Sequence, residues 1–371
     1  MTMIFLFIIH TIAFGIGVFL VYRTILTALR VFLLPRGARD RLAAIFFVAW
    51  RKVFYWRVNR SNTYEDRDRI MAMFAPIALL SLPGFMLALI ALGYTLIYWA
   101  VGVGDFYESF ALSGSSLLTL GFAREEGFGL LLLQFSEAAM GPTLAALLIS
   151  YLPTMYAAFS VRETAVTLLE VRAGWPPSAV EMIGRSHRIR GLDYLTEIWE
   201  QWEHWFAALE ESHTSLAALV FFRSPKPNRS WVTAAGTVLD CAALYSSTLN
   251  RPRDPQAELC IRAGFLALRS IADFYRIKYD PDPAPTDPIS ISRAEFDDAY
   301  RRMQEYGVPL KPDMDQCWRD FSGWRVNYDA VLLQLSTLTM APYAPWISDR
   351  SLLPSAKSVA KRRSQETQAK K

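Results

Sequence analysis

The chain has 371 residues, of which 52% are hydrophobic and 20% are charged, and its formal net charge at pH 7 is +4. This composition excludes a disordered protein and lies on the apolar side of ordinary soluble proteins. Residues 1–22 and 74–104 carry no charged side chain, and residues 127–161 carry only one, Glu137. Because about 20 apolar residues cross a bilayer, these stretches predict an all-α membrane protein with three spans.

The distribution of charge orients the predicted spans. Residues 23–73 contain eleven Lys and Arg against four Asp and Glu, whereas residues 74–161 contain one Arg and five acidic residues. Since basic loops stay in the cytoplasm, this bias predicts multi-pass insertion in the cell membrane, with the N-terminus outside and the C-terminal half cytoplasmic. The basic surplus lies beside spans and on the C-terminal tail, which favours anionic lipid as a partner and excludes nucleic acid.

The first 73 residues divide into a span and a basic segment. Residues 1–34 are predicted to form an N-terminal transmembrane helix, which ends where Pro35 and Gly37 follow. Residues 35–73 form a basic cytosolic or interfacial segment. Within it, residues 39–57 have the apolar and basic pattern of a helix that lies in the membrane interface. Alternatively, this helix packs against the other spans, and the sequence favours neither interpretation over the other.

The second span is predicted over residues 74–103. Its far end carries three aromatic residues in the pattern of an interfacial belt, namely Tyr94, Tyr98 and Trp99.

The segment after the second span is too short to cross a membrane. Asp105 has the residue type of a helix N-cap, and the helix that follows is predicted over residues 106–118. The chain would then return through an extended stretch, residues 119–123, before a third span from 128 to 160. Non-helical backbone at membrane depth survives only where protein covers it or where it lines a water-filled path. The segment therefore predicts a pore.

The order of outer helix, pore helix, extended strand and inner helix over residues 74–163 resembles the pore module of tetrameric potassium-type channels. Residues 115–123, which read SSLLTLGFA, are similar to the filter signature of that family, usually written TVGYG. The resemblance implies a homotetramer in which backbone carbonyls replace the hydration shell of a monovalent cation, expected to be K⁺. No other cofactor is expected. The selectivity filter would consist of Thr119, Leu120, Gly121, Phe122 and Ala123.

Two positions depart from the family pattern. Ala123 stands where the family has a second glycine, whose backbone conformation is costly for a residue with a Cβ. Arg124 stands where an acidic residue is common. At the outer mouth Arg124 is followed by Glu125 and Glu126, and acidic residues outnumber basic ones four to one over residues 104–126. This balance still attracts cations.

Three residues of the third span are candidate pore or hinge residues. Glu137 either lines the cavity below the filter or forms hydrogen bonds behind the filter with Ser115, Ser116 or Arg124. The pair Gly141 and Pro142 interrupts the predicted inner helix and marks a bending point for gating.

The C-terminal half is predicted to be a cytosolic helical domain over residues 164–350, followed by a basic disordered tail over residues 351–371. Its predicted helices include one continuous helix over residues 312–339. The domain shows no dinucleotide-binding motif, no P-loop, no metal site and no catalytic constellation, so no enzyme activity is expected. It would instead modulate the pore in response to an unidentified cytosolic ligand or partner. The alternative is a membrane-anchored scaffold or signalling protein with a pore that does not conduct.

Overall fold

A computed structural model describes residues 2–33, 40–60 and 63–350. Within these ranges the protein is all-helical and contains no β-strand, which confirms the predicted class. Short 3-10 helices occupy Leu192–Tyr194, Ala217–Phe221 and Ser348–Arg350. The α-helices are α1 (Thr2–Phe32), α2 (Arg41–Val58), α3 (Tyr64–Ala72), α4 (Phe74–Ala100), α5 (Phe106–Leu117), α6 (Phe128–Ala173), α7 (Ala179–Ile189), α8 (Leu195–Ser215), α9 (Trp231–Thr248), α10 (Pro255–Phe274), α11 (Arg293–Glu305), α12 (Met314–Arg325) and α13 (Asp329–Thr339).

Three helical stretches in the described part of the chain are long and apolar enough to cross a membrane: Met3–Phe32, Tyr64–Ala100 and Phe128–Ala173. They overlap the three predicted spans, but the second stretch also includes α3, before residue 74, and the third continues beyond residue 160. The predicted break at Pro35 and Gly37 and the predicted tail at residues 351–371 lie outside the described residues.

The chain divides into two compact units. The first, here called the membrane unit, comprises residues 1–55 and 73–157, and the second, the C-terminal unit, comprises residues 56–72 and 158–371. Helix α3 therefore belongs to the C-terminal unit, although the sequence grouped its residues with the basic segment before the second span. Only Met73 separates α3 from α4 along the chain.

In the membrane unit α1 packs along α4 at a close approach of two glycines. A Cβ atom added at Gly17 would lie 2.5 Å from the carbonyl oxygen of Gly93, and one added at Gly93 would lie 2.7 Å from Cγ2 of Val21. Small residues of this kind let helices approach closely within a bilayer, where packing rather than water exclusion holds helices together.

Helix α6 is longer than the sequence predicted. It continues 13 residues beyond Ser160 to Ala173, and it runs through Pro142 and Pro153 without a break. Arg162 and Glu163 misled the sequence interpretation, because charged residues after an apolar run ordinarily mark the end of a span. Here both side chains are buried in the C-terminal unit and form an ion pair, with Arg162 Nη2 2.8 Å from Glu163 Oε1.

The C-terminal unit packs around α9, which is buried on nearly all sides. Asp240 of α9 accepts hydrogen bonds from Arg325 and from the hydroxyl of Tyr328, whose oxygen lies 2.9 Å away. Arg325 Nε also donates to Asp329 at 2.8 Å. The predicted single helix over residues 312–339 is wrong, because the chain forms a turn over residues 326–328 between α12 and α13.

Candidate functional site

The short helix α5 is defined at its first residue by a reciprocal cap. The backbone N–H of Glu108 donates to Asp105 Oδ1 at 2.8 Å, and the backbone N–H of Asp105 donates to Glu108 Oε2 at 3.0 Å. This capping box satisfies two N–H groups that the first turn would leave unpaired, and it confirms Asp105 as the N-cap. The helix has 12 residues, about 18 Å at 1.5 Å per residue, which is well short of the roughly 30 Å of a bilayer core.

The chain reverses direction directly after α5. The N–H of Thr119 donates to the carbonyl of Ser116 at 3.0 Å, and the N–H of Leu120 donates to the carbonyl of Ser115 at 2.8 Å. These two bonds form a Schellman motif, which requires a left-handed residue after the helix. That residue is Thr119, with φ at 55°. A β-branched residue in this conformation costs about 1–2 kcal/mol, so the surrounding contacts must hold it there.

One side chain, that of Ser115, holds the non-helical residues 119–123 beside α5. These residues are here called the returning strand, although they form no β-sheet. Ser115 Oγ accepts from the N–H of Ala123 at 2.9 Å and donates to the carbonyl of Ala123 at 3.1 Å. Residues 119–123 therefore run back beside the last turn of α5. The positive φ values in this stretch fall on Thr119 and Gly121, at 55° and 73°, and not on Ala123. The expectation that the missing glycine at 123 imposes a conformational cost is wrong.

The returning strand presents apolar side chains outward. Leu118, Leu120 and Phe122 are exposed on the single chain, as are Thr119 and Gly121.

The predicted outer mouth follows directly. Arg124, Glu125 and Glu126 are also exposed, and the carbonyl of Glu125 accepts from Nε2 of Gln134 at 3.3 Å. Of the predicted filter and mouth residues, Ala123 is half-buried and the other seven are exposed.

Glu137 is fully buried behind the returning strand. Its Oε1 lies 2.5 Å from Ser113 Oγ of α5, and its Oε2 accepts from the hydroxyl of Tyr98 of α4 at 2.9 Å. The carboxyl group thereby joins three helices. Glu137 is thus a buried hydrogen-bonding residue, while a place behind a filter or in a pore cavity stays a prediction. The partners differ from the anticipated Ser115, Ser116 and Arg124.

Two tyrosines assigned to an aromatic belt have a different environment. Tyr98 and Tyr94 are both buried, and the hydroxyl of Tyr94 forms a hydrogen bond of 2.8 Å with Ser136 Oγ of α6. Their position near the end of an apolar helix gave the same sequence signal as an interfacial belt. Glu137 is the single acidic residue in the third apolar stretch, and its presence there could have indicated that buried hydroxyl groups pair with it.

Gly141 lies where α6 passes the end of α5. A Cβ atom added to Gly141 would overlap the carbonyl oxygen of Leu117, so only glycine permits this approach. Pro142 removes one intrahelical hydrogen bond, because it has no N–H to donate to the carbonyl of Ala138. The pair thus has a packing role, while its role as a hinge stays a prediction.

In the C-terminal unit, the last part of α6 is attached through Arg162. The guanidinium donates to the carbonyls of Leu219 at 2.9 Å and Phe222 at 2.7 Å. Its Nη1 also lies 3.2 Å from Nε2 of His213. Because a guanidinium only donates, Nε2 must accept, and the ring proton resides on Nδ1, 3.1 Å from Ser212 Oγ. Burial, and then the charge of Arg162, lower the pKa of His213 well below its ordinary value.

Helix α3 is attached to the same short stretch of chain. Arg223 forms an ion pair with Asp68 of α3, and its Nη2 donates to the carbonyls of Thr339 at 2.6 Å and Met340 at 3.2 Å. The hydroxyl of Tyr64, also in α3, donates to the carbonyl of Met340 at 3.3 Å. The segment of residues 219–223, here called the junction segment, therefore contacts α3 through Arg223 and α6 through the guanidinium of Arg162. No sequence pattern indicated this convergence, since its partners are up to 159 residues apart.

Comparison of the chain with protein-family models, with curated proteins and with solved structures found no match.

Proposed function

We propose that the chain is one subunit of a homotetrameric, potassium-channel-like cation channel, with residues 119–123 as its filter. The observation that carries this proposal is the turn after α5. A capped helix too short to span a bilayer ends in a chain reversal, and the strand that returns is held beside it by Ser115. Backbone of this kind at membrane depth requires protein cover or a water-filled path. A permeant K⁺ or other monovalent cation would supply the ligand for its carbonyl oxygens.

A tetramer accounts for the exposed apolar side chains of the returning strand. One strand cannot enclose a path, so several copies must meet around a common axis. Leu118, Leu120 and Phe122 would then be covered by neighbouring subunits. The acidic excess beside Arg124 supplies a negative outer mouth, and the C-terminal end of α5 adds the negative end of a helix dipole.

Gating would act through the inner helix and the junction segment. Arg162 of α6 donates to the carbonyls of Leu219 and Phe222 in the junction segment. Arg223 of the same segment forms an ion pair with Asp68 of α3. Because α3 leads into α4 after one residue, a rearrangement of the junction segment would act on the chain leading to both the outer and the inner helix. The proposed modulation by the C-terminal unit rests on this convergence.

The proposed topology places the N-terminus outside and the C-terminal unit in the cytoplasm, as the charge bias favours. Helix α2 supports contact with anionic lipid. It exposes Ile45, Val48, Val53 and Trp56, and it carries basic residues within the same 18-residue helix. An exposed apolar surface flanked by basic groups fits the interface of a negatively charged leaflet.

The test is ion flux in liposomes that contain the purified full-length protein. Flux of K⁺ and Na⁺ would be compared between the wild type, Gly121→Asp in the filter and Gly129→Asp as a control. Gly129 is an exposed glycine outside the filter, and a Cβ there meets no atom within 4 Å. Flux that is lost only in Gly121→Asp supports the channel, and a preference for K⁺ supports selectivity.

Two results contradict parts of the proposal. Equal K⁺ and Na⁺ flux would leave a cation pore without K⁺ selectivity. Absence of flux from assembled tetramers would favour the alternative, a membrane-anchored scaffold whose pore does not conduct, for which the exposed Arg124 at the outer mouth is the supporting observation.

A further inference from the structure

The cytosolic continuation of α6 carries a second apolar row that its own chain leaves uncovered. Val161, Leu168 and Val171 are 62%, 50% and 75% exposed, and the exposed Thr164 lies between them. These four residues are here called the α6 stripe. They recur at intervals of three, four and three residues, which places them on one side of a helix.

The opposite side of the same helical stretch is already packed. Val166, Leu169 and Ala173 are buried in the core of the C-terminal unit. This part of α6 is thus apolar on two sides, and only one of them packs against the core of the C-terminal unit. A helix with apolar surface all round is normally buried on every side, so the α6 stripe requires another covering surface.

Lipid does not provide that surface. Val161 follows Phe128, the first residue of α6, by 33 positions, about 50 Å along a helix, whereas a bilayer with its headgroups measures about 40–45 Å. The charges here are also unsuited to a membrane surface. Arg162 and Glu163 form an ion pair, Glu170 forms an ion pair with Arg229, and half-buried Arg172 is the one remaining basic residue of this stretch, so the row of basic groups of an interfacial helix is missing.

We propose that the α6 stripe packs against the same stripe of neighbouring copies of this chain, around the axis of the channel. The proposal rests on the proposed function, because a tetrameric pore brings four α6 helices around one axis. Spacing by three and four residues is the seam of helices that pack side by side, in which each copy supplies both knobs and holes. The stripe contains no charged residue, so identical copies meet at the same level without like-charge repulsion.

The first test is disulfide formation between copies of the full-length protein. Val171→Cys places a thiol on the stripe, and Leu266→Cys places one on α10 at a leucine that is 45% exposed. The native cysteines Cys241, Cys260 and Cys317 are buried and form no disulfide in the described chain. With diamide as the oxidant, we expect covalent dimers from Val171→Cys at least fivefold above those from Leu266→Cys. Equal dimer formation would overturn the proposal.

The second test measures assembly by mass photometry in detergent. Leu168→Glu would place a charge from each copy at one level of the seam, and we expect it to shift tetramers towards smaller species. Leu266→Glu makes the same change at a matched exposed leucine and should leave assembly unchanged. An intact tetramer with Leu168→Glu would refute the α6 stripe alone, since flux would still report the pore. A wild-type protein that forms no tetramer would refute both proposals.

Discussion

Ser115 provides the sharpest test of the proposed filter, because one hydroxyl holds the returning strand to the pore helix. Its Oγ is buried and makes two hydrogen bonds with the backbone of Ala123, at 2.9 and 3.1 Å. Each bond contributes about 0.5–1.5 kcal/mol, so Ser115→Ala removes roughly 1–3 kcal/mol of restraint per subunit. Discrimination between ions depends on the position of the filter carbonyls, and about 1.4 kcal/mol corresponds to a tenfold change in an equilibrium constant. We therefore expect the ratio of K⁺ to Na⁺ flux to fall by about tenfold.

The assay is K⁺ and Na⁺ flux from the same liposome preparations, with the thermal midpoint of the tetramer measured in parallel. Thr143→Ala is the matched control, because Thr143 donates only within its own helix, to the carbonyl of Ala139 at 2.7 Å. The control should retain the wild-type flux ratio. If Ser115→Ala also retained the wild-type ratio and midpoint, the hydroxyl would not position the filter, and the reasoning from the returning strand would be refuted.

Three further changes test other parts of the structure. Gly141→Ala should lower the thermal midpoint of the protein by an amount equivalent to about 1–3 kcal/mol, because the new Cβ overlaps the carbonyl oxygen of Leu117, the last residue of α5. Gly129→Ala is the control and should leave the midpoint unchanged, because its new Cβ meets no atom within 4 Å. Because buried His213 is neutral and its pKa is depressed, the unfolded state binds the proton first as pH falls below about 6.5. Stability should then decrease by up to about 1.4 kcal/mol per pH unit, and this decrease should be absent in His213→Gln when melting is followed between pH 7.5 and 5.5. Arg325→Met leaves two buried carboxylates without their cation and should cost about 3–5 kcal/mol in chemical denaturation of the C-terminal unit, while the same change at the exposed Arg319 should cost under about 0.5 kcal/mol.

The membrane unit was predictable where one property acts over a long stretch. Absence of charge located the three candidate spans, and the helix between the second and the third has only 12 residues, too few to cross a bilayer. The capping residue Asp105 was also predictable, since its partner Glu108 is three residues away. Local chemistry and length therefore made this short capped helix predictable.

The polar contacts of Glu137 were not predictable in the same way. The partners of Glu137 lie 24 and 39 residues earlier in the chain, at Ser113 and Tyr98. Serines and tyrosines are common in apolar helices, so their types do not reveal which hydroxyl faces the carboxyl group. Only the packing of three helices selects the pair. The same reason hid the buried partners of Asp240, because Arg325 and Tyr328 lie 85 and 88 residues later in the chain.

Arg162 and Glu163 show that the end of an apolar span and the end of a helix do not have to fall at the same residue. A span ends where lipid ends, and charged residues mark that point in sequence. A helix ends where its backbone hydrogen bonds stop. Here the guanidinium of Arg162 donates to the carbonyls of Leu219 and Phe222 instead of to water. The helix can therefore continue to Ala173 as part of the C-terminal unit.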